Sequence, residues 1–204
     1  MVTVGFDLDM TLIDSRPGIK AAFEALSATT GVYVDADLAI TRLGPPLVDE
    51  LAHWFPAEDI EAVAETYRHR IYPAHGIAPT LAMPGARESV EAIRRAGGRT
   101  VVVTAKYGPN AVRHLEHLDI AADAVVGDLW AEGKGAALIE HGASVYVGDH
   151  TGDVRGARRA GALSVGVATG PVGAAELRAA GADVVLADLT EFPEWFAGYL
   201  SEAA

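Results

Sequence analysis

Val2-Thr3-Val4-Gly5-Phe6-Asp7-Leu8-Asp9-Met10-Thr11 decides how the rest of the chain is read. A short run dominated by apolar residues ends abruptly at two aspartates. This is the pattern of a buried strand that delivers carboxylates at its carboxyl end. Similar runs recur at Arg99-Thr100-Val101-Val102-Val103-Thr104, Ser144-Val145-Tyr146-Val147-Gly148 and Leu163-Ser164-Val165-Gly166-Val167. Weaker ones lie at Ala124-Val125-Val126 and Asp183-Val184-Val185-Leu186. Helical periodicity fills the gaps at 86–97, 109–117, 133–141, 151–160 and 173–180. Three of these stretches stop at Ala-Gly (Ala96-Gly97, Ala160-Gly161, Ala180-Gly181), where a glycine can take the left-handed conformation that ends a helix.

Parallel strands need long crossovers, so valine-rich strands alternating with helices imply a parallel sheet covered on both faces. The predicted class is α/β with a Rossmann-like parallel sheet core. Residues 15–80 break the alternation: Ile19, Phe23 and Leu26, then Leu47, Leu51 and Trp54, then Ile60, Val63 and Tyr67 recur at helical spacing. No strand pattern interrupts them. This stretch reads as a helical insertion after the first strand, with Pro79 and Pro84 marking the return, so the core is built from 1–14 and 81–204. Phe192 to Leu200 reads as a closing amphipathic helix.

Composition excludes several functions. With 204 residues, half of them apolar, the chain can bury a substantial core. A net charge of -12 without clustered Lys and Arg excludes a nucleic-acid binder, and any anionic ligand must be held by local positive charge. No cysteine is present, which removes disulfides, thiolate zinc sites and cysteine nucleophiles. No apolar run approaches the roughly 20 residues that span a bilayer. The first residues lack the features of a signal peptide, so the expected location is the cytoplasm.

In open parallel sheets ligands sit beyond the carboxyl ends of the strands. There the sequence places Asp7 and Asp9, then Thr104-Ala105-Lys106, then Lys134 at a helix start, then Gly148-Asp149-His150-Thr151-Gly152-Asp153. Carboxylates gathered at one point repel, and burying them unpaired is costly, so the cluster makes sense around a hard cation such as Mg²⁺. Asp7 and Asp149 are the expected ligands, with the main-chain carbonyl of Asp9 a third.

At these spacings the chain resembles the haloacid dehalogenase superfamily, in the phosphatase branch with a helical cap. The resemblance rests on Asp7-Leu8-Asp9-Met10-Thr11, Thr104, Lys134 and Gly148 to Asp153, and it covers nearly the whole chain. It implies Asp7 as the nucleophile that forms an aspartyl-phosphate, and Asp9 as general acid and base with its pKa raised by acidic neighbours. It implies that Thr104, the Ala105 N–H, Lys106 and Lys134 hold the phosphoryl group, and that Asp153 orients Lys134 or the waters of the metal, completing a metal set of Asp7, Asp9, Asp149 and Asp153. The substrate is then a small phosphorylated metabolite, and the protein a monomer or homodimer. Met10 stands where close relatives have Gly, and Ala105 where they have Asn. Neither change removes a catalytic side chain.

Leu43-Gly44-Pro45-Pro46-Leu47 resembles a cap loop of phosphoglycolate-phosphatase-like members, although any interhelical turn can use Gly-Pro-Pro. A carbon–halogen hydrolase has no need of Asp9, and a sugar phosphomutase carries a cap histidine that Ser15 to Phe23 lacks. A phosphonate-cleaving relative needs a cap lysine, and Lys20 has no motif around it. A sugar phosphomutase of the same superfamily stays the alternative within the fold, and an inactive binding module on the same fold is the alternative of a different class. His150 receives no role, Trp54, Phe55 and Tyr67 are assigned to the core of the insertion, and Arg158-Arg159 to a solvated helix face.

Overall fold

In the computed structural model, which describes residues 2–202, the core is a six-stranded, wholly parallel sheet. Its strands are β1 (Thr3–Phe6), β4 (Arg99–Val103), β5 (Ala124–Val126), β6 (Val145–Gly148), β7 (Leu163–Val167) and β8 (Val184–Leu186). Their spatial order is β5-β4-β1-β6-β7-β8. The chain builds outward from β1 in one direction and then returns to start again on its other side. The switch therefore falls beside β1, which is where a parallel sheet opens a crevice at its carboxyl edge.

Alternation along the strands gives the sheet two buried faces. Val4 and Phe6 join Val102, Val145 and Val147 on one side, against α6 (Ala86–Arg95), α7 (Gly108–His117) and α11 (Phe192–Glu202). Val101, Val103 and Tyr146 face the other side, against α8 (Lys134–Glu140) and α9 (Thr151–Ala160). α10 (Ala174–Ala180) adds Leu177 to a smaller cluster with Val154 and Val172. The glycine stops act as the sequence requires: Gly161 and Gly181 close α9 and α10 at φ 68° and 92°. The helix predicted at 133–141 is preceded by a short 3₁₀ turn, Ala131–Gly133, that sets the direction of Lys134.

Two strands escaped the sequence reading. Ile13–Asp14 (β2) and Leu81–Ala82 (β3) pair antiparallel, Ile13 opposite Ala82. At two residues each they are too short to carry a periodic signal. All the helices of the insertion lie between them: α1 (Arg16–Thr30), α2 (Ala36–Ala39), α3 (Leu47–Leu51), α4 (Ile60–Thr66) and α5 (Tyr72–His75). This cap has its own apolar core around Phe23, Leu26, Leu51, Ala64 and Tyr67. Between α4 and α5 the helix widens to a π turn, Tyr67–Ile71. Such bulges re-aim side chains, and here the turn carries Tyr67 and Arg68, both of which line the cavity described below.

Candidate active site

The adjacency of β4, β1 and β6 gathers the predicted residues. Asp7 follows β1 and donates its N–H to the Val147 carbonyl at 2.8 Å; Thr104 follows β4 and Asp149 follows β6. Lys134 opens α8 and Asp153 lies in the first turn of α9. Asp7, Thr104, Lys134, Asp149 and Asp153 are all buried.

Lys134 is fully buried, which rules out a solvated helix lysine. Its Nζ lies 3.1 Å from Asp7 Oδ1 and 2.7 Å from Asp153 Oδ1. Burial works against its charge, but Asp153 and Asp7 outweigh that and hold it protonated. Asp153 is itself pinned by the His150 N–H at 3.0 Å. Tyr146 lies below this group, its ring 5.5 Å from Lys134 Nζ and its hydroxyl donating to the Val103 carbonyl at 2.6 Å.

Carboxylate oxygens of Asp7, Asp149 and Asp153 all lie within 4.8 Å of one another. Burial pushes the Asp7 carboxyl upward against the pull of Lys134, with Asp153 and Asp9 adding to the rise. Asp149 is driven well above the carboxylate range by burial, then by Asp153 and Asp7. One lysine cannot balance three carboxylates, and Asp7 Oδ1 is a buried acceptor without a well-aligned donor. The oxygen donors, their spacing and the uncompensated charge fit a hard divalent cation. Thr11 donates to Asp149 Oδ1 at 3.0 Å and so fixes that carboxylate. The backbone at Gly170 crosses so close to Asp149 that a Cβ there would fall 1.7 Å from Oδ2, so only glycine fits.

Asp9 corrects an expectation. Burial raises its pKa, but Lys106 at 3.0 Å, the chief opposing group, outweighs this and holds it below the ordinary value. The acidic neighbours do not set Asp9; a cation does. Lys106 also donates to the Tyr72 hydroxyl at 2.9 Å, and that hydroxyl lies 2.9 Å from Nε2 of the buried His114. An ammonium only donates, so the hydroxyl proton is assigned to His114 Nε2, which makes His114 a neutral acceptor. Burial and then Lys106 lower its pKa to about 3, consistent with that assignment.

Met10 sits at φ 60°, the left-handed conformation that explains why glycine suits this position. Its side chain is buried and its carbonyl accepts from Thr169 Oγ1 at 2.6 Å. Thr104 Oγ1 accepts from the Lys106 N–H at 3.2 Å, tying the three residues of that loop together.

Above Asp7 and Asp9 a cavity of about 110 Å³ lies between core and cap. Thr104, Ala105 and Lys106 line its core side, and Arg42, Gly44 and Tyr67 are among those on the cap side. Tyr67 thus belongs to the cap's core and also faces the cavity. The cap loop reaches the core: Gly44, at φ 126°, approaches so closely that a Cβ would lie 2.9 Å from Cδ2 of His150. His150 begins α9 by accepting the Gly152 N–H on Nδ1 at 3.0 Å, and its ring packs on Trp130 with centroids 5.1 Å apart. Sequence reasoning left His150, Tyr72, His114 and Glu50 without roles. A polar residue one position before a helix could have flagged His150 as a cap; no local signal marks Tyr72 and His114, which meet across 42 residues of chain, while Glu50 pairs locally with Arg42 and Trp54.

A family model described as haloacid dehalogenase-like hydrolase matches residues 4–167. The tyrosine-protein kinase PtkA of Mycobacterium tuberculosis is 32% identical over 179 residues, covering 81% of this chain and 61% of that one. The chain therefore spans about three fifths of the length of that curated relative. The pyrophosphatase PpaX of Halalkalibacterium halodurans is 30% identical over 176 residues, covering 78% of this chain and 80% of that one. Among solved structures, the haloacid dehalogenase-like hydrolase SP0104 of Streptococcus pneumoniae superimposes with a TM-score of 0.82 at 25% identity, covering 96% of this chain and 98% of that one. Among the described residues, no helix is long and apolar enough to cross a membrane.

Proposed function

Because the chain belongs to the haloacid dehalogenase-like hydrolase family, we propose that it is a Mg²⁺-dependent phosphatase that hydrolyses a small phosphorylated metabolite through an aspartyl-phosphate on Asp7. The observation that carries this reading is the buried Lys134 held between Asp7, which lines the cavity, and Asp153. A charged group so arranged stabilises added negative charge at Asp7, which is what phosphoryl transfer demands.

Asp7 attacks phosphorus, and the bond to the leaving oxygen breaks as Asp9 supplies that oxygen with a proton. Asp9 then removes a proton from the water that hydrolyses the acyl phosphate. Lys106 keeps Asp9 ionised in the resting site; an arriving phosphate shares Lys106 and relaxes its hold, so that Asp9 can take up the proton it must give. Thr104 and Ala105 line the phosphoryl side of the cavity, where the Thr104 hydroxyl and the Ala105 N–H can donate. Asp7 and Asp149, with the Asp9 carbonyl, would hold the metal, while Asp153 positions Lys134. When bound, Mg²⁺ supplies charge that offsets the carboxylates and the phosphoryl oxygens.

Residues 15–80 act as a cap that opens and closes on the β2–β3 ribbon, excluding water during transfer. Phosphoglycolate, the substrate suggested by the cap-loop resemblance, carries a carboxylate beside its phosphate, and the charge pairing around the cavity predicts that it is a poor one. The deciding experiment is hydrolysis of an aryl phosphate with Mg²⁺ and with excess chelator, by wild type and Asp7→Asn. Activity that needs both metal and Asp7 supports the reading. Undiminished turnover by Asp7→Asn overturns the nucleophile assignment.

A further inference from the structure

We infer that the site selects phosphomonoesters whose leaving group is uncharged and apolar on the face turned to the cap, and disfavours those carrying a second anionic group. This rests on the phosphatase reading and narrows its substrate class. On the cap side the cavity is walled by Ile19, Phe23, Leu43, Leu47 and Tyr67, which reward apolar contact and offer little to an ion.

Three cations also line the cavity, Arg42, Arg68 and Lys106, and each already faces carboxylates. Arg42 grips Glu50 in a two-pronged pair, Nε to Oε2 at 3.0 Å and Nη2 to Oε1 at 2.6 Å. Glu50 Oε1 also accepts the Trp54 indole N–H at 2.9 Å, and the guanidinium lies 5.7 Å from the Trp54 ring centroid. That planar fork is the strongest geometry an arginine can adopt with a carboxylate, and it is neutral overall. Lys106 is engaged by Asp9 at 3.0 Å. Arg68, the most loosely held, stands 3.7 Å from Glu65 and 3.9 Å from Glu61. The Asn110 amide is spent on the Arg68 carbonyl at 2.9 Å.

A second anion at Arg42 or Lys106 must displace a carboxylate, one at Arg68 must compete with Glu65 and Glu61 for the same cation, and elsewhere it lies against apolar side chains unpaired; each route costs affinity. The net charge of -12 adds to the repulsion. The phosphoryl end escapes this penalty because Lys134 and the carboxylates that would hold a cation lie at Asp7, where the phosphoryl group is taken up, and Lys106 can be shared with it.

The test is calorimetric binding, with Mg²⁺, of two phosphonates of the same shape: isopentyl phosphonate and carboxyethyl phosphonate, in which a carboxylate replaces the isopropyl end. Neither can be turned over, so binding reads leaving-group selection whether or not the protein is a phosphatase, and aryl phosphate hydrolysis reads that separately. Wild type is expected to bind the isopentyl compound at least about tenfold more tightly. Glu50→Gln, which frees the charge of Arg42 while keeping the shape, is expected to shrink that ratio severalfold. Equal or tighter binding of the carboxyethyl compound by wild type overturns the inference, as does failure of the isopentyl compound to bind. An unchanged ratio in Glu50→Gln overturns the role given to the Arg42–Glu50 pair.

Discussion

Replacing Lys134 by methionine keeps the length and apolar stem of the side chain and deletes one charge from the most buried ionic cluster of the protein. In wild type that charge lies 3.1 Å from Asp7 and 2.7 Å from Asp153, with no solvent exposure. Removing one partner of a buried pair costs about 3–5 kcal/mol, because the remaining charge stays buried and unpaired. Here two carboxylates lose their partner and Asp149 is beside them, so the upper half of that range is expected at neutral pH without metal. For a domain stable by about 5–15 kcal/mol this is a large fraction. Mg²⁺ at a hundredfold excess over its Kd returns about 2.7 kcal/mol to whichever form binds it. Acid should also soften the loss. Asp7 and Asp149 have folded pKa values raised above the unfolded 3.8, so the folded state holds more protons and stability falls as pH rises through that window. Without Lys134 the rise is larger, so the gap between variant and wild type closes as pH falls toward 4. Urea unfolding at pH 5 and pH 7.5, with Mg²⁺ and with chelator, measures all three effects. A loss under about 1 kcal/mol at pH 7.5 in chelator, or a gap that widens in acid, refutes the argument that Lys134 compensates buried, ionised carboxylates.

Other substitutions separate strain from packing. Met10→Gly relieves a left-handed backbone worth about 1–2 kcal/mol but removes a buried side chain worth about 2–5, so net destabilisation of about 1–3 kcal/mol is expected in urea unfolding. Gly44→Ala combines a φ of 126° with a Cβ 2.9 Å from His150; activity should fall, and His150→Ala should recover only the steric part, as a double-mutant cycle in kcat/KM would show. Tyr72→Phe deprives Lys106 of an acceptor and leaves the buried His114 without its partner, for a loss of about 1–3 kcal/mol in thermal or urea unfolding.

Much of the site was legible because its residues stand immediately after the apolar runs. Strand ends are fixed by local pattern, and the rule that parallel sheets bind ligands at their carboxyl edge turns a list of such ends into a place. Asp7, Thr104 and Asp149 could be named that way, while Lys134, at a helix start, followed from the resemblance. Local pattern could not say which charge faces which. The acidity of Asp9 is not legible locally because it is set by Lys106, distant in sequence, whose ammonium stands 3.0 Å from it.

The sequence alone determined the six strands of the parallel sheet, most helices, the helical insertion and the carboxylates at the strand ends, since these depend on periodicity and on what abuts a buried strand. Only the tertiary structure decided that β1 lies between β4 and β6 and that Tyr72 and His114 reach Lys106. Charge pairing falls off over a few ångströms, and distances that short between remote residues are set by the packing of core against cap, which no local window of sequence contains.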